Sequence, residues 1–325
     1  MRLDPAPELV ARFAAELDRL VPAGAKIGVA VSGGPDSLAL LLLAAAARPG
    51  AIQAATVDHA LRPQSAAEAT QVARLCEQLG LQHSTLVAQW DRPPETAIQE
   101  RARDERYRLL AGWSGEQQLA AVATAHHADD QAETFLMRLG RGAGVRGLAA
   151  MRAAGPLPGS TERLIRPLLG WRRAQLGEIC RAAGLEPVRD PANDDQRFER
   201  VRMRQALAGA DWLDPEAIAH SAANLAGADV ALEWAAAHEW QRAVTRDGDQ
   251  LAYSQGRVPD EIRRRVVQRA VATVATEGGG AALRGRELDQ LLELLHSGGT
   301  ATLRGARCSG GEQWTFAPAP PRRQA

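Results

Sequence analysis

Apolar and polar positions in the first half of the chain follow two alternating patterns. Short apolar, β-prone segments predict strands at Ile27–Val31, Ile52–Val57, Leu86–Ala88 and Leu119–Thr124. Helices are predicted between and after them, at Ser37–Ala47, Ser65–Leu79, Glu95–Leu110 and Asp130–Leu139. The second of these helices opens on Ser65 with Glu68 three residues later, the spacing of a capping box. Repeated strand–helix units predict an α/β fold with a Rossmann-like parallel sheet and helices on both faces.

The second half of the chain has a different pattern. After a loop rich in glycine and proline, a helix is predicted near Arg172–Ala183, and the chain is mostly helical from about Arg200 to Thr276. Strand-like alternation returns at Thr300–Leu303 and Gln313–Phe316. We expect a first, α/β domain at 1–205, a mostly helical linker and small accessory domain at 206–317, and a disordered tail at 318–325.

The composition narrows the class of protein. The 39 basic and 39 acidic residues give a net charge of zero, and the hydrophobic content of 45% is that of an ordinary globular chain. The longest strictly apolar run, Leu38–Ala47, is half the length of about 20 residues that a membrane span needs. No secretory signal is visible in the sequence. Cys76, Cys180 and Cys308 are far apart, and this spacing predicts three reduced thiols rather than a metal or redox site. The sequence therefore predicts a cytoplasmic protein without a membrane partner.

The run Ser32-Gly33-Gly34-Pro35-Asp36-Ser37 follows the first predicted strand and opens a helix. Small residues there let backbone N–H groups and two hydroxyls surround an anion, and the helix N-terminus adds favourable partial charge. The Walker pattern needs a lysine inside the loop, whereas Lys26 lies ahead of the strand. A nucleotide held here is expected to react at its inner phosphate. The alternative is a purely structural strand–helix turn.

Two residues of this loop strengthen the nucleotide interpretation. Asp36 has the chemistry to bind a magnesium ion, and Ser37 is placed to hydrogen-bond from the first helical turn. The loop resembles the signature of the PP-loop ATPases, which split ATP between its α- and β-phosphates and adenylate a substrate.

A second polar cluster, His126-His127-Ala128-Asp129-Asp130-Gln131-Ala132-Glu133, follows the fourth strand. Asp129, Asp130 and Glu133 share one flank of the predicted helix, where like charges repel unless a cation lies among them. A cation or amine site is one interpretation, and a solvated acidic helix start is the other. Zinc is not favoured, because adjacent histidines point in opposite directions from a strand. A histidine here is expected to contact phosphate or substrate.

Two further segments carry possible site residues. Asp58 and His59 end the second strand, and Arg103, Arg106 and Tyr107 lie on the following helix, where they could face phosphates. A satisfied loop histidine and a solvated helix face are the alternatives for these two segments.

Charge distribution points to a polyanionic partner. Residues 138–173 contain eight arginines and one acid, Glu162. Arg141 and Arg146 lie in a glycine-rich loop just after the acidic helix, and a second group of arginines lies at 197, 200, 202 and 204. Arginine beside a nucleotide site suits bidentate phosphate contact and nucleic-acid backbone binding. A solvated surface is the alternative.

Taken in order, several segments resemble the bacterial tRNA(Ile)-lysidine synthase family: SGGPDS, VDHALR, RARDERY, TAHHADDQAETFLMRLGRGAGVRGL, RPLL and DPANDDQRFERVR. The resemblance spans about residues 25–205. It implies ATP-dependent adenylation of the C2 oxygen of the wobble cytidine in tRNA(Ile) with a CAU anticodon. Free L-lysine then displaces AMP through its ε-amine, giving lysidine.

The resemblance also implies residue roles. Asp36, Asp130 and Glu133 are expected to be catalytic, with Asp36 the Mg²⁺ ligand and the other two suited to the lysine amine. Residues expected to bind ATP are Ser32, Gly33, Gly34, Pro35, Asp36, Ser37, Asp58, His59, Arg103 and His127. Residues expected to contact tRNA are Arg141, Arg146, Arg200 and Arg204. The chain departs from the family at Arg200-Val201, where the family often has Arg-Asn.

Two other functions remain as alternatives. A PP-loop tRNA thiolase also adenylates a base, but it needs paired cysteines, and the sequence contains no CxxC motif. A nucleotide-binding module without chemistry is the other alternative. Carboxylates and arginines that converge on one end of the sheet argue against it.

Overall fold

The computed structural model describes residues 3–90, 96–188, 195–275, 283 and 285–320. Contacts divide the chain into two compact units. The first comprises Met1–Gly142 with Gly147–Asn224, and the second comprises Ala143–Arg146 with Leu225–Ala325. The domain boundary predicted after residue 205 lies within the first unit.

The first unit is built on a six-stranded sheet in the order β3-β2-β1-β4-β6-β5. All neighbouring strands are parallel except β5 and β6. The strands are β1 (Ile27–Ala30), β2 (Ile52–Asp58), β3 (Gln82–Val87), β4 (Ala121–Ala123), β5 (Ala154–Pro156) and β6 (Arg163–Ile165). The predicted parallel α/β fold is confirmed.

Helices connect and follow these strands. They are α1 (Pro7–Leu20), α2 (Pro35–Ala47), α3 (Ser65–Gln78), α4 (Ile98–Glu116), α5 (Ala128–Leu139), α6 (Val145–Leu148), α7 (Arg173–Ala182), α8 (Glu199–Ala208) and α9 (Pro215–Ala243). Helix α9 runs from the first unit into the second.

The sheet buries both of its faces, because successive strand residues point to opposite sides. On β4, Ala121 and Ala123 join one apolar cluster, with α1, α2, α3 and α7. Val122 joins another, with α4. Helix α2 is buried around most of its circumference, including Leu40–Leu43, which accounts for its uninterrupted apolar sequence. Strand β1 and α4 approach so closely that a Cβ on Gly28 would lie 2.5 Å from the Trp113 ring.

Parallel pairing places the carboxyl ends of β1, β2, β4 and β6 along one edge of the sheet. The polar segments that begin at Ser32, Asp58, His126 and Arg166 follow these four ends. Ligands of open α/β sheets bind along this edge.

The second unit contains a five-stranded antiparallel sheet in the order β7-β8-β11-β10-β9. Its strands are β7 (Val244–Asp247), β8 (Gln250–Tyr253), β9 (Thr300–Leu303), β10 (Ala306–Ser309) and β11 (Trp314–Pro318). Helices α10 (Asp260–Val274) and α11 (Gly285–His296) share its core with Tyr253, Trp314 and Phe316. The sequence analysis predicted only the segments of β9 and β11.

Two local predictions were wrong. Ser65 is the first residue of α3 rather than its N-cap, and its hydroxyl donates to the carbonyl of Arg62, so no capping box forms with Glu68. The tail predicted from residue 318 overlaps β11, because Pro318 pairs with Ala306.

Some predictions fall outside the described residues: the helix start at Glu95, the helix end at Thr276 and the last five residues of the tail. No helix in the described part of the chain is long and apolar enough to cross a membrane.

Candidate functional site

The glycine loop after β1 is held by its own hydroxyls. The backbone N–H of Ser32 donates to Ser37 Oγ at 3.1 Å, and that hydroxyl donates to the carbonyl of Gly34 at 2.9 Å. Gly33 has φ of +81°, a conformation that favours glycine. Helix α2 begins without a side-chain cap. The first-turn N–H groups are therefore available to an anion, as the sequence predicts.

Asp36 lies in the first turn of α2 and points across the sheet edge. Its Oδ2 is 3.5 Å from His127 Nε2, whereas its Oδ1 is buried without a hydrogen-bond partner. No group of three or more metal-ligating side chains occurs among the described residues. Magnesium is commonly held by one or two carboxylates together with substrate phosphates. A single carboxylate with a free buried oxygen beside an anion loop fits that mode.

His127 links this carboxylate to the start of α5. It is the N-cap of α5, and its backbone N–H donates to Asp130 Oδ2 at 3.1 Å. Its Nε2 also lies 3.5 Å from that oxygen. Burial alone would lower the pKa of His127, but the hydrogen bond to Asp36 and the nearby charges of Asp130 and Asp129 raise it. The imidazole is therefore poised to carry a proton among carboxylates.

The neighbouring His126 has the opposite character. Its Nδ1 lies 2.9 Å from Thr124 Oγ1. Burial lowers the pKa of His126 to about 4, and the charges of Arg166, Arg200 and Arg103 act in the same direction against that of Asp130. At neutral pH this imidazole is uncharged.

The structure separates the three carboxylates that the sequence places on one flank of α5. Asp129 faces the start of α7, where Arg172 donates to both of its oxygens and the backbone N–H of Arg173 donates at 2.8 Å. Asp130 Oδ2 lies 3.5 Å from His127 Nε2, and Asp130 Oδ1 lies 3.9 Å from Arg200 Nη2. Glu133 faces α8. The positive groups are partly shared, because His127 lies within 3.6 Å of both Asp129 and Asp130, and Arg200 lies near both Asp130 and Glu133. Arg172 had no distinguishing signal in the sequence.

Glu133 is 2% exposed and is shared by two arginines of α8. Arg200 Nε donates to Oε2 at 2.9 Å, and Arg204 Nε donates to Oε1 at 2.7 Å. Arg200 also donates to Thr134 Oγ1 at 3.1 Å. Val201, which stands where the family often has asparagine, is buried. The predicted amine-site residue and two predicted tRNA-contact residues therefore form a single ion-pair cluster.

The end of β2 contributes Asp58 and His59. Asp58 is buried and its Oδ1 accepts from the backbone N–H of Ala60 at 2.8 Å, which stabilises the turn. The backbone carbonyl of His59 accepts a hydrogen bond from the Trp90 indole N–H at 2.7 Å. The imidazole Nε2 of His59 lies 3.3 Å from Arg106 Nη2. Burial and the charge of Arg106 lower the pKa of His59. Both side chains lie at the predicted edge, and their contact with a nucleotide stays a prediction.

Helix α4 and the end of β6 bring further arginines to this edge. Arg103 stacks over the Tyr107 ring with 5.0 Å between the guanidinium carbon and the ring centroid. Arg166 follows β6 directly and was not predicted as a site residue. Its position directly after a short strand was the one sequence feature that could have identified it as a residue of the sheet edge. By contrast, Arg108 pairs with Glu105, so this part of the helix matches the solvated-face alternative.

The other two arginines predicted to contact tRNA are exposed and paired. Arg141 forms an ion pair with Glu199. Arg146 belongs to the second unit, where its Nη2 lies 3.1 Å from Glu233 Oε1. Pairs as exposed as these contribute about 0–1 kcal/mol, so either guanidinium can leave its partner at small cost.

Comparison with known proteins gives concordant matches. Residues 9–210 match the family model of the PP-loop domain. The chain is 48% identical over 315 residues to the tRNA(Ile)-lysidine synthase of Novosphingobium aromaticivorans, covering 96% of this chain and 94% of that one. It is 42% identical over 306 residues to the tRNA(Ile)-lysidine synthase of Zymomonas mobilis, covering 94% and 92% respectively.

A solved structure shares the fold at low identity. The U34-tRNA thiolase NcsA of Methanococcus maripaludis superposes with a TM-score of 0.55 at 15% identity, covering 66% of this chain and 77% of that one. This likeness shows the fold alone.

Proposed function

Because the chain belongs to the tRNA(Ile)-lysidine synthase family of PP-loop proteins, we propose that it ligates free L-lysine to the wobble cytidine of tRNA(Ile) with a CAU anticodon. Membership of the family makes it an ATP-using enzyme that acts on tRNA. The proposal adds the bond that is formed: a C–N bond between the lysine ε-nitrogen and C2 of the base. The proposed compartment is the cytoplasm.

The reaction is proposed to take place in two steps. The C2 oxygen of the cytidine attacks the α-phosphorus of ATP, and the bond to the β-phosphate breaks, releasing pyrophosphate. The ε-amine of lysine then attacks C2, the C–O bond breaks with release of AMP, and the nitrogen loses its protons to the site and solvent. The products are lysidine, AMP and pyrophosphate.

The observation that supports the first step is an anion-binding loop that contains no lysine but does contain the carboxylate of Asp36. Ser32–Ser37 would hold the pyrophosphate portion through backbone N–H groups and hydroxyls, and the free Oδ1 of Asp36 would bind Mg²⁺. A bound Mg²⁺ would neutralise negative charge on the phosphates. His127 supports this arrangement because its Nε2 lies 3.5 Å from Asp36 Oδ2 and holds that carboxylate in place.

The second step requires an acidic site for the amine, and Asp130 and Glu133 are the proposed residues. Both oxygens of Glu133 accept from arginine, so an ammonium can reach this carboxylate only when a guanidinium departs. Arg200 and Arg204 are also proposed to contact tRNA. If Arg200 or Arg204 left Glu133 to bind an RNA phosphate, one carboxylate oxygen of Glu133 would become available to the lysine ammonium. Binding of lysine would then be coupled to binding of tRNA.

The thiolase alternative meets a chemical obstacle at the cysteines. Cys76, Cys180 and Cys308 are all buried and free. Burial raises the pKa of Cys76 and of Cys180 to about 11, and that of Cys308 to about 12. Thiols held in this way carry little thiolate at neutral pH and are poor sulfur carriers or cluster ligands.

The experiment that tests the proposal follows ATP cleavage in the presence of Mg²⁺ and tRNA(Ile). AMP and pyrophosphate are the expected products, and Asp36→Asn should lower the rate by about 100-fold, as loss of electrostatic stabilisation does. Asp18→Asn is the matched control, because Asp18 lies on α1, its side chain is 55% exposed, and its ion-pair partner Arg48 is not a proposed site residue. Formation of ADP and orthophosphate would contradict the proposal. Nucleotide binding without cleavage under any condition would favour the non-catalytic module.

A further inference from the structure

The turn Gly170-Trp171-Arg172, which precedes α7, is tied to the first residue of α5. The backbone carbonyl of Trp171 accepts a hydrogen bond from the N–H of Ala128 at 2.8 Å. The Trp171 side chain is buried, and Arg12 lies over its ring with 4.2 Å between the guanidinium carbon and the ring centroid. Arg12 Nη2 also donates to the carbonyl of Gly170 at 2.6 Å. Because these contacts hold the turn, it is a firm attachment point for the start of α5.

Asp129 makes the side-chain part of this attachment. Arg172 Nη2 donates to its Oδ1 at 3.0 Å, Arg172 Nε donates to its Oδ2 at 3.2 Å, and the backbone N–H of Arg173 donates to its Oδ2 at 2.8 Å. Burial alone would raise the pKa of Asp129, but these hydrogen bonds lower it. A guanidinium can leave a carboxylate, whereas a backbone N–H in the first turn of a helix stays in place. Asp129 is therefore a poorer site for the lysine amine than Asp130 or Glu133.

The Arg172 guanidinium is also neutralised within the protein. Its Nε and Nη2 bond to Asp129, and its remaining nitrogen, Nη1, lies 3.6 Å from Asp214 Oδ1. Paired hydrogen bonds between arginine and a carboxylate fix the relative orientation of the two side chains. Arg172 therefore acts on the acidic start of α5 rather than presenting its charge to an RNA phosphate.

This attachment holds two side chains of the proposed site. His127 is the N-cap of α5 and lies between two carboxylates, with Nδ1 3.6 Å from Asp129 Oδ2 and Nε2 3.5 Å from Asp36 Oδ2. Asp130 follows Asp129 directly, and its Oδ2 accepts from the backbone N–H of His127 at 3.1 Å. A displacement of the first turn of α5 would therefore move both His127 and Asp130.

Helix α7 also contacts the Ser32–Ser37 loop. Cys180 Sγ donates to the carbonyl of Pro35 at 3.1 Å. Beyond the end of the helix, the backbone N–H of Val188 donates to the carbonyl of Gly33 at 3.0 Å. The same helix therefore supports the anion-binding loop and the acidic start of α5.

We propose that Asp129 and Arg172 are a positioning pair, which fixes the start of α5 relative to the Ser32–Ser37 loop and contacts neither lysine nor RNA. The inference rests on the proposed function, which makes Asp36 and Asp130 act on the substrates. A displacement of reacting groups by about 1 Å can cost about 100-fold in rate. Loss of either partner is therefore expected to slow the reaction without weakening the binding of a substrate.

The test measures kcat for AMP release, the KM for lysine and the Kd of tRNA(Ile) in Asp129→Asn, Arg172→Gln and the double variant. We expect each single variant to lower kcat by about 10-fold or more, with lysine KM and tRNA Kd within about threefold of wild type. The double variant should lose no more than about threefold beyond the slower single variant, because the two residues act as one unit. Arg172→Lys, which keeps the charge but not the paired donors, should recover part of kcat. Arg181→Gln is the matched control, because it removes from α7 a positive charge that pairs with Glu178 on the surface.

Three results would overturn the proposal. A raised lysine KM in Asp129→Asn at wild-type kcat would make Asp129 an amine ligand. A raised tRNA Kd in Arg172→Gln, with a salt slope lower by about one, would make Arg172 an RNA contact. A lower Tm with unchanged kcat in both variants would leave the pair a role in stability alone.

Two further comparisons keep the decision clear. If Asp129→Asn does not fold, kcat of Arg172→Gln and Arg172→Lys beside Arg181→Gln decides in the same way. A wild-type protein that forms no lysidine contradicts the proposed function. Variants as active as a lysidine-forming wild type contradict only the positioning pair.

Discussion

Replacing Glu133 by glutamine removes the central charge of the ion-pair cluster between α5 and α8. The carboxylate is 2% exposed and accepts one hydrogen bond from Arg200 and one from Arg204, at 2.9 and 2.7 Å. Glutamine keeps the shape but retains only one acceptor oxygen, and its amide N–H₂ would face a guanidinium. We expect Glu133→Gln to destabilise the folded protein.

The magnitude follows from the burial of the partners. Hydrogen bonds to charged groups contribute about 1.5–3 kcal/mol each. The Arg200 and Arg204 side chains are 38% and 26% exposed, so water screens them in part, and the lower end of that range applies. With one bond lost and one weakened, the expected loss is about 2 kcal/mol. For a unit of about 200 residues this lowers Tm by roughly 4–8 °C.

The assay is thermal unfolding of Glu133→Gln beside Glu199→Gln. Glu199 opens α8 and pairs with Arg141, but both side chains are exposed, so this control should cost no more than about 1 kcal/mol. A difference between the two variants of less than about 0.5 kcal/mol would refute the interpretation of Glu133 as a buried, charge-paired group. In steady-state kinetics the same variant should raise the KM for lysine more than that for ATP. An unchanged lysine KM with abolished adenylation would assign Glu133 to the metal instead.

Three further predictions concern other parts of the molecule. Gly28→Ala should destabilise by about 1–3 kcal/mol in denaturant unfolding because its Cβ would meet Trp113 at 2.5 Å, whereas Gly112→Ala, with open space around it, should not destabilise. In NMR titration His126 should protonate near pH 4 and His127 above pH 6.5. Because its pKa is lowered, His126 makes the folded protein less stable as pH falls from 6.5 to 4. Because its pKa is raised, His127 loses its stabilising contribution as pH rises through that pKa. Identical titration of both rings would contradict the charge assignment. Arg141→Ala should weaken tRNA binding and lower its salt slope by about one, and an unchanged slope would show that this side chain contacts no phosphate.

The sequence predicted the sheet and the polar segments along its carboxyl edge because both depend on local pattern. Apolar segments followed by Ser32, Asp58 and His126 mark strand ends, and parallel strands bring such ends together. The glycine loop was recognisable since its chemistry lies within six consecutive residues. These features need no knowledge of distant contacts.

Side-chain partners were not predictable in the same way. Glu133 meets Arg200 and Arg204 across 67 and 71 residues of sequence, and no periodicity specifies such a pair. The acidic flank of α5 indicated that cations were needed but not that arginines from α7 and α8 supply them. Three strands of the second unit, β7, β8 and β10, were missed. Strand β7 follows α9 without a break, so its pattern merges with the helical one before it.

Lysine incorporation is the measurement that tests the central claim most directly. The protein is incubated with ATP, Mg²⁺, labelled L-lysine and tRNA(Ile) carrying a CAU anticodon, and label in the RNA is compared with AMP and pyrophosphate released. We predict equal amounts of all three, with the label on the wobble nucleoside, and no label in tRNA whose wobble base is not cytidine. Release of pyrophosphate with no lysine entering the RNA would contradict the account.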